Sequence, residues 1–365
     1  MASCPAELAL GPRGHRVRIG IVCPYDIGKP GGVQQLSGEL ASRLLGMGED
    51  VVFVGAGDGW FHDGPGVEDV TVPVGRATSI AANRSRAPIA LGPSSWGKVR
   101  RALSDVEVLH IHEPLIPLVG WSALSFDKPT VATFHADAPG WAGATYRWAP
   151  WIGRRLEKAK ITAVSATAAR SIPEAWGDPE IVPNAIDVDS YDLPATRNAH
   201  QVAFLGRDEP RKGLEVLLEA WPEVRAVVPG AELVVMGARR VTDVAGARFT
   251  GPISGVEKRQ LLASSQVYVA PNLGGESFGI VVLEAMAAGC AVVASDIPAF
   301  VDVAGGAAEH VAIGDPASLA SAITGLLRDD SRARALGESA RHRARDFDWS
   351  VVAGRYRDLY AEAAS

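Results

Sequence analysis

The sequence has little that would suit an exported, membrane-spanning or nucleic-acid-binding protein. Its 365 residues hold three cysteines, Cys4, Cys23 and Cys290, and none has a CxxC partner. A disulfide framework or a thiolate zinc site is therefore excluded, and the odd number favours reduced thiols in the cytosol. No apolar run approaches the ~18 residues of a membrane span. The first residues have neither the basic opening nor the long apolar centre of a signal peptide, so residues 1–16 read as a loose extension. A net charge of −6 argues against non-specific binding to nucleic acid. No internal repeat links the two halves. The glycine-rich GAGDG that starts at Gly55 lacks the last spacing of a dinucleotide fingerprint, and Pro65 interrupts the helix that should follow. A dehydrogenase is disfavoured. With 47% apolar and 21% charged residues, the composition is that of a soluble globular protein, long enough for two cores.

Short apolar, β-branched runs punctuate the chain. Val17–Cys23, Asp50–Val54, Glu107–His112, Thr130–His135, Ile161–Ser165 and Glu180–Pro183 read as strands separated by helical segments such as Val33–Leu45. The pattern restarts with Gln201–Leu205, Glu232–Met236, Ala247–Thr250, Val267–Ala270 and Ala291–Ser295. Strands alternating with helices imply parallel sheets covered on both faces. The fold class is α/β, with two doubly wound, Rossmann-like domains over 17–190 and 200–345 facing across a cleft. The polar stretch Asp189–His200 links them, and 346–365 is a tail helix returning to the first domain. Ligands of such sheets bind beyond the strand C-termini. Gly32, His112, His135, Gly206, Arg207, Gly237, Gly251 and Gly274 all fall at such ends.

The stretch Asn272–Gly289, NLGGESFGIVVLEAMAAG, concentrates the chemistry. Gly274 and Gly275 let backbone N–H groups approach a ligand, and a helix beginning just after them offers an anion site. Glu276 sits in the turn and Glu284 on an apolar helical face, where a carboxylate needs a partner. On one helix the two would lie about 12 Å apart, too far for a glycosidase dyad. GRDEPRKG, 206–213, places Arg207, Arg211 and Lys212 between a strand and a helix, suited to neutralising a diphosphate. His135 ends a strand of the other domain. It reads either as a capped strand end or as a group facing a sugar or leaving group. His110 and His112 alternate on one strand face, but no third ligand nearby supports a metal site. Trp96, Lys98, Arg100 and Arg101 form a small basic amphipathic element, suited to weak attachment at an anionic membrane surface or to ordinary solvent exposure.

With Gly31-Gly32-Val33, HIHEP (110–114), Thr133-Phe134-His135, GRDEPRKG and GGESFGIVVLEAMAAG in order, the chain resembles retaining glycosyltransferases of family 4, which have the two-domain GT-B fold. The likeness covers about Arg18 to Tyr360, and the carboxylate pair Glu276-x7-Glu284 is its most specific motif. VCPY (22–25), PGGVQ (30–34), the segment 92–101 and DWSVV (348–352) look like the members that move mannose from GDP-mannose to the inositol ring of phosphatidylinositol. The resemblance implies that Arg207, Arg211 and Lys212 hold the donor diphosphate while the Gly32 backbone caps it. Glu284 would hold the ribose, and Glu276, Ser277, Phe278, Gly279 and Ile280 the mannose. The loop Ile253, Ser254, Gly255 to Lys258 would lie near the guanine, and Tyr25, Gln34 and His135 would meet the inositol phosphate. His135, Glu276, Arg207 and Lys212 form the implied catalytic set. No cofactor is built in, beyond a Mg2+ accompanying the nucleotide-sugar. The expected setting is the inner face of the cell membrane, with peripheral attachment. One departure stands out: after Thr133-Phe134-His135, where the likeness leads one to expect a polar stretch with a lysine, comes Ala136–Gly140, with Asp137 added and no lysine. A carboxylate there would repel an inositol phosphate by roughly 1 kcal/mol. It leaves open another UDP- or GDP-sugar and a soluble acceptor. A silent nucleotide-sugar binding protein is the third reading.

Overall fold

The computed structural model describes residues 17–57, 59–60, 64–75, 77–82, 85–90, 93–136, 149–241 and 244–365. The extension 1–16 and residues 137–140, with Asp137, lie outside them. The first sheet contains β1 (Arg18–Asp26), β2 (Asp50–Ala56), β3 (Thr71–Pro73), β4 (Ala77–Ala82), β5 (Ser85–Ala90), β6 (Val108–His112), β7 (Thr130–Phe134), β8 (Lys160–Ala163) and β9 (Glu180–Ile181). Its order is β3-β2-β1-β6-β7-β8-β9, parallel throughout, with the antiparallel pair β4–β5 attached where Tyr25 faces Ile89. The second sheet comprises β10 (Asn198–Leu205), β11 (Glu232–Met236), β12 (Ala247–Gly251), β13 (Ser265–Ala270), β14 (Ala291–Ser295) and β15 (Glu309–Val311). It runs β12-β11-β10-β13-β14-β15, again parallel. Runs such as Val51–Val54 and Val267–Ala270 are buried on both faces, which is why they show no polar alternation.

Each sheet reverses direction once, between β1 and β6 and between β10 and β13. Loops on either side of such a reversal part, leaving a crevice beyond the strand ends. Both crevices receive residues named above: Tyr25 to Gly32 and Glu113 in the first, Gly206 to Lys212 and Pro271 to Glu276 in the second. The short strands β3 and β15 and the β4–β5 pair are additions to the pattern read from sequence. Three-residue edge strands, one ending in proline, carry too few apolar positions to show a period.

The halves are stitched together. The helix Trp349–Ala364 packs Trp349, Val352, Tyr356 and Tyr360 against Ile19, Ile21 and Val131 of the first sheet. Phe278 meets Phe347 edge-on with ring centroids 5.8 Å apart, and the Ser165 hydroxyl donates to the Ser277 carbonyl. Among the described residues no helix is long and apolar enough to cross a membrane.

Candidate active site

The second crevice is built by two loops locked at backbone level. Gly213 has φ of +69°, and a Cβ there would lie 1.8 Å from the Pro271 carbonyl oxygen. Only glycine permits both the turn and the approach. The Leu273 N–H then donates to the Arg211 carbonyl at 2.9 Å, holding the loop after β10 against the loop after β13. Onto one carboxylate oxygen, Glu276 Oε1, converge Lys212 Nζ at 2.6 Å, Arg211 Nη1 at 2.7 Å and Asn272 Nδ2 at 2.9 Å. Two of these donors are cations, so the bonds are of the strong, charge-assisted kind. Arg207 stands further out: it pairs with Glu209 at 2.9 Å, and Glu209 in turn holds Arg211 at 2.9 Å. Lys212 is 12% exposed and Arg207 67%, so the two predicted diphosphate cations differ sharply in setting.

The helix containing Glu284 runs Ile280–Ala287 and begins five residues beyond Gly275. Gly274 and Gly275 therefore do not open it, contrary to expectation. Gly279 does, with φ of +103° and no room for a Cβ beside Phe300. Glu276 precedes the helix, so the straight-helix separation from Glu284 does not apply. Glu284 is buried, and Lys258 Nζ donates to it at 2.5 Å. Tyr191, in the connection between the sheets, also hydrogen-bonds Glu284. Burial, followed by that carboxylate's charge, holds its hydroxyl well above the ordinary tyrosine range. Lys258 comes from the helix Gly255–Ser264, whose start is fixed by a capping box between Ser254 and Glu257. The Ser254 hydroxyl is thus already occupied as a helix cap, and Ile253 packs against the core.

The first crevice uses different chemistry. Glu113 follows β6 with φ of +47°, a region that side chains with a Cβ rarely adopt. It is buried, and it accepts the His135 N–H at 2.8 Å. Burial pushes its carboxyl up to about 7. Tyr25, half-buried beside it, is driven well above its usual range by burial, with the Glu113 charge adding to this. The His135 ring sits with Nε2 2.8 Å from Nδ1 of His112. Burial lowers His135 to about 4 and His110 to about 3, and holds His112 well below the ordinary histidine range, so all three are neutral near pH 7. His110 is engaged at both nitrogens, by the Tyr360 hydroxyl and Thr133 Oγ1, each at 2.7 Å. Those partners make it a structural residue. Among the described residues no group of three or more histidines, cysteines or carboxylates could hold a metal.

Gly32 is the first residue of its helix and open to solvent, with nothing within 4 Å of where a Cβ would be. Gln34 is not brought to the crevice surface. It is buried, folded onto Gly31, with its amide 3.4 Å from the Asp26 carbonyl. The basic element occupies the helix Pro93–Ala102, with Val99 buried, Trp96 half-buried, and Lys98, Arg100 and Arg101 exposed. Arg100 lies over the Phe126 ring, 4.8 Å from its centroid, and Lys128 lies 5.3 Å from the same ring. Sequence reasoning gave no role to Asn272 or Tyr191. Tyr191 gains its place from a partner distant in sequence, and Asn272 from the loop that brings Glu276, four residues on, back to its amide.

Comparison with known proteins agrees with this architecture. Residues 30–190 match the family described as Glycosyltransferase Family 4, and residues 199–329 match Glycosyl transferases group 1. A phosphatidyl-myo-inositol mannosyltransferase of Mycolicibacterium smegmatis is 39% identical over 368 residues, 94% of this chain and 93% of the relative. Another of that name, from Propionibacterium freudenreichii, is 36% identical over 368 residues, 95% of each chain. Among solved structures, Anabaena Alr3699/HepE in complex with UDP superposes with a TM-score of 0.73 at 16% identity, covering 95% of this chain and 100% of that one. Sucrose-phosphate synthase from Thermosynechococcus elongatus gives 0.65 at 23%, covering 96% and 100%. At such identities the superpositions speak to the fold, which is GT-B.

Proposed function

The chain belongs to glycosyltransferase family 4, and from that premise we propose that it transfers mannose from GDP-mannose to the inositol ring of phosphatidylinositol, with retention, at the inner face of the cell membrane. The observation that carries the donor half is the meeting of Lys212, Arg211 and Asn272 on Glu276 at the β10/β13 reversal. Cations fixed beside a carboxylate suit a sugar diphosphate. They face the phosphates, and the carboxylate faces the sugar hydroxyls. The acceptor half rests on the named relatives, which span this chain nearly end to end.

Neither carboxylate is arranged as a nucleophile. Glu276 Oε1 already accepts three bonds, and Glu284 is tied to Lys258 and Tyr191. The reaction we infer therefore proceeds on one face of the sugar. The bond from C1 to the diphosphate oxygen breaks as the acceptor oxygen bonds to C1, and the acceptor proton passes to the departing diphosphate. Lys212 and Arg211 stabilise the growing charge, with Arg207 at the rim, and any Mg2+ enters with the nucleotide-sugar. Asp137, with no lysine beside it, would repel a phosphate and so favours a second reading with a soluble, phosphate-free acceptor such as a small glycoside. A donor–acceptor matrix tests both. GDP-mannose with phosphatidylinositol vesicles is expected to give the largest turnover, whereas turnover only with soluble inositols or only with UDP-sugars would displace the first reading.

A further inference from the structure

The first crevice contains a buried contact that the proposed reaction does not explain. His112 is fully buried, its Nδ1 is 2.8 Å from His135 Nε2, and among the described residues its own Nε2 has no partner. One hydrogen must lie between the two rings, because both are neutral. If His135 supplied it, the proton of His112 would sit on Nε2 as a buried donor with nothing to receive it. If His112 supplies it, Nε2 is only an unused lone pair. An orphaned interior N–H is the rarer and costlier state. The proton of His135 then lies on Nδ1. Asn184 lies near that ring, but its buried Oδ1 makes no hydrogen bond among the described residues and so does not take up that N–H.

We propose that His112 is a positioning residue that fixes His135 as its Nδ1–H tautomer, so that His135 meets its ligand as a neutral hydrogen-bond donor and not as a base. The His112 ring is packed against a neighbour that is itself held. His110 covers one face, with ring centroids 4.2 Å apart, and is itself clamped by Tyr360 and Thr133. The His135 backbone is held separately by Glu113, so ring and main chain are fixed from two sides. A neutral donor pointing at an anionic or hydroxyl-bearing acceptor adds a hydrogen bond without drawing off the proton that the diphosphate is to receive.

This inference rests on His135 lying at the acceptor, as proposed above, but its main test does not require turnover. Ring 13C and 15N shifts of His135 in the full-length protein are expected to report the Nδ1–H form; the Nε2–H form would overturn the assignment. His112→Leu is expected to lower kcat roughly tenfold with GDP affinity within twofold, while His112→Asn, which keeps a donor near the Nδ1 position, recovers most of the loss. A folded His112→Leu with wild-type kcat and an unchanged His135 tautomer would also overturn it. Should His112→Leu not fold, the wild-type shifts decide alone. If no sugar-nucleotide supports turnover, the functional reading fails while the tautomer result stands.

Discussion

The two crevices occupy equivalent places, each beyond a strand-order reversal, yet they are built from opposite materials. Around Glu276 the groups carry full charges, and backbone contact fixes their geometry, with Gly213 pressed onto Pro271. Around His135 the histidines are neutral, and the buried Glu113, raised to about 7, sits in a strained conformation. Under the proposed function, the contrast follows from what each crevice would do. A diphosphate brings charge that cations meet directly, and partial exposure keeps their desolvation cost low. A hydroxyl that must arrive, react and leave is better met by neutral donors and acceptors whose orientation is set in advance.

The contrast is most severely tested within the charged crevice. Lys212→Ala is expected to reduce turnover on the order of a thousandfold and Glu276→Ala by a hundredfold or more, comparable to loss of a preorganised polar contact. Arg207→Ala, at the rim, should cost less than either. Initial rates with the matched donor and acceptor would check this, and an Arg207 effect exceeding that of Lys212 would reverse the ranking drawn from their exposure. A smaller effect concerns the outer surface. Changing Lys98, Arg100 and Arg101 together to Ser is expected to weaken binding to anionic vesicles by tenfold or more, at up to about 1 kcal/mol per cation. GDP binding should be untouched; unchanged vesicle flotation would remove the helix Pro93–Ala102 from any membrane role.

The smallest expected effect is a change of slope in stability against pH, and it probes the neutral crevice. Glu113 is raised to about 7 in the fold, so it binds its proton more tightly there than in the unfolded chain. Its contribution is complete below the ordinary carboxyl range and is lost as pH rises to about 7. His110 and His135 are lowered, so their contributions are complete above the ordinary histidine range and are lost as pH falls toward 4 and below. The two trends oppose each other between about pH 4.5 and 7. Glu113→Gln, which keeps an acceptor for the His135 N–H, is expected to leave only the histidine trend and so steepen the rise of stability with pH. Denaturant midpoints measured across that window would show it. A profile identical to wild type would mean that Glu113 is charged throughout.

Much of the fold was legible because buried parallel strands must be apolar on both faces. Glu232–Met236 and Ala291–Ser295 were placed to the residue, since polar or glycine-containing stretches flank them. The helix of Glu284 begins later than expected, at Ile280, because both Gly275 and Gly279 take left-handed φ and nothing in the composition shows which of them leads into the helix. The site was legible in its glycines, cations and carboxylates. It was opaque wherever a role depends on a partner: Gln34 carried a family-like motif yet lies buried, and Asn272 carried none yet grips Glu276.

The sequence by itself determined that this protein has two parallel sheets, that its charged loops lie at strand ends, and that a carboxylate at position 284 would require company. Those conclusions follow from local rules of periodicity, chain reversal and desolvation, which each segment obeys alone. Only the tertiary structure decided that the company is Lys258 and Tyr191, that Lys212 and not Arg207 stands against Glu276, and that the His135 ring meets the buried His112. Such pairings join residues tens of positions apart, and their geometry exists only once the sheets have packed.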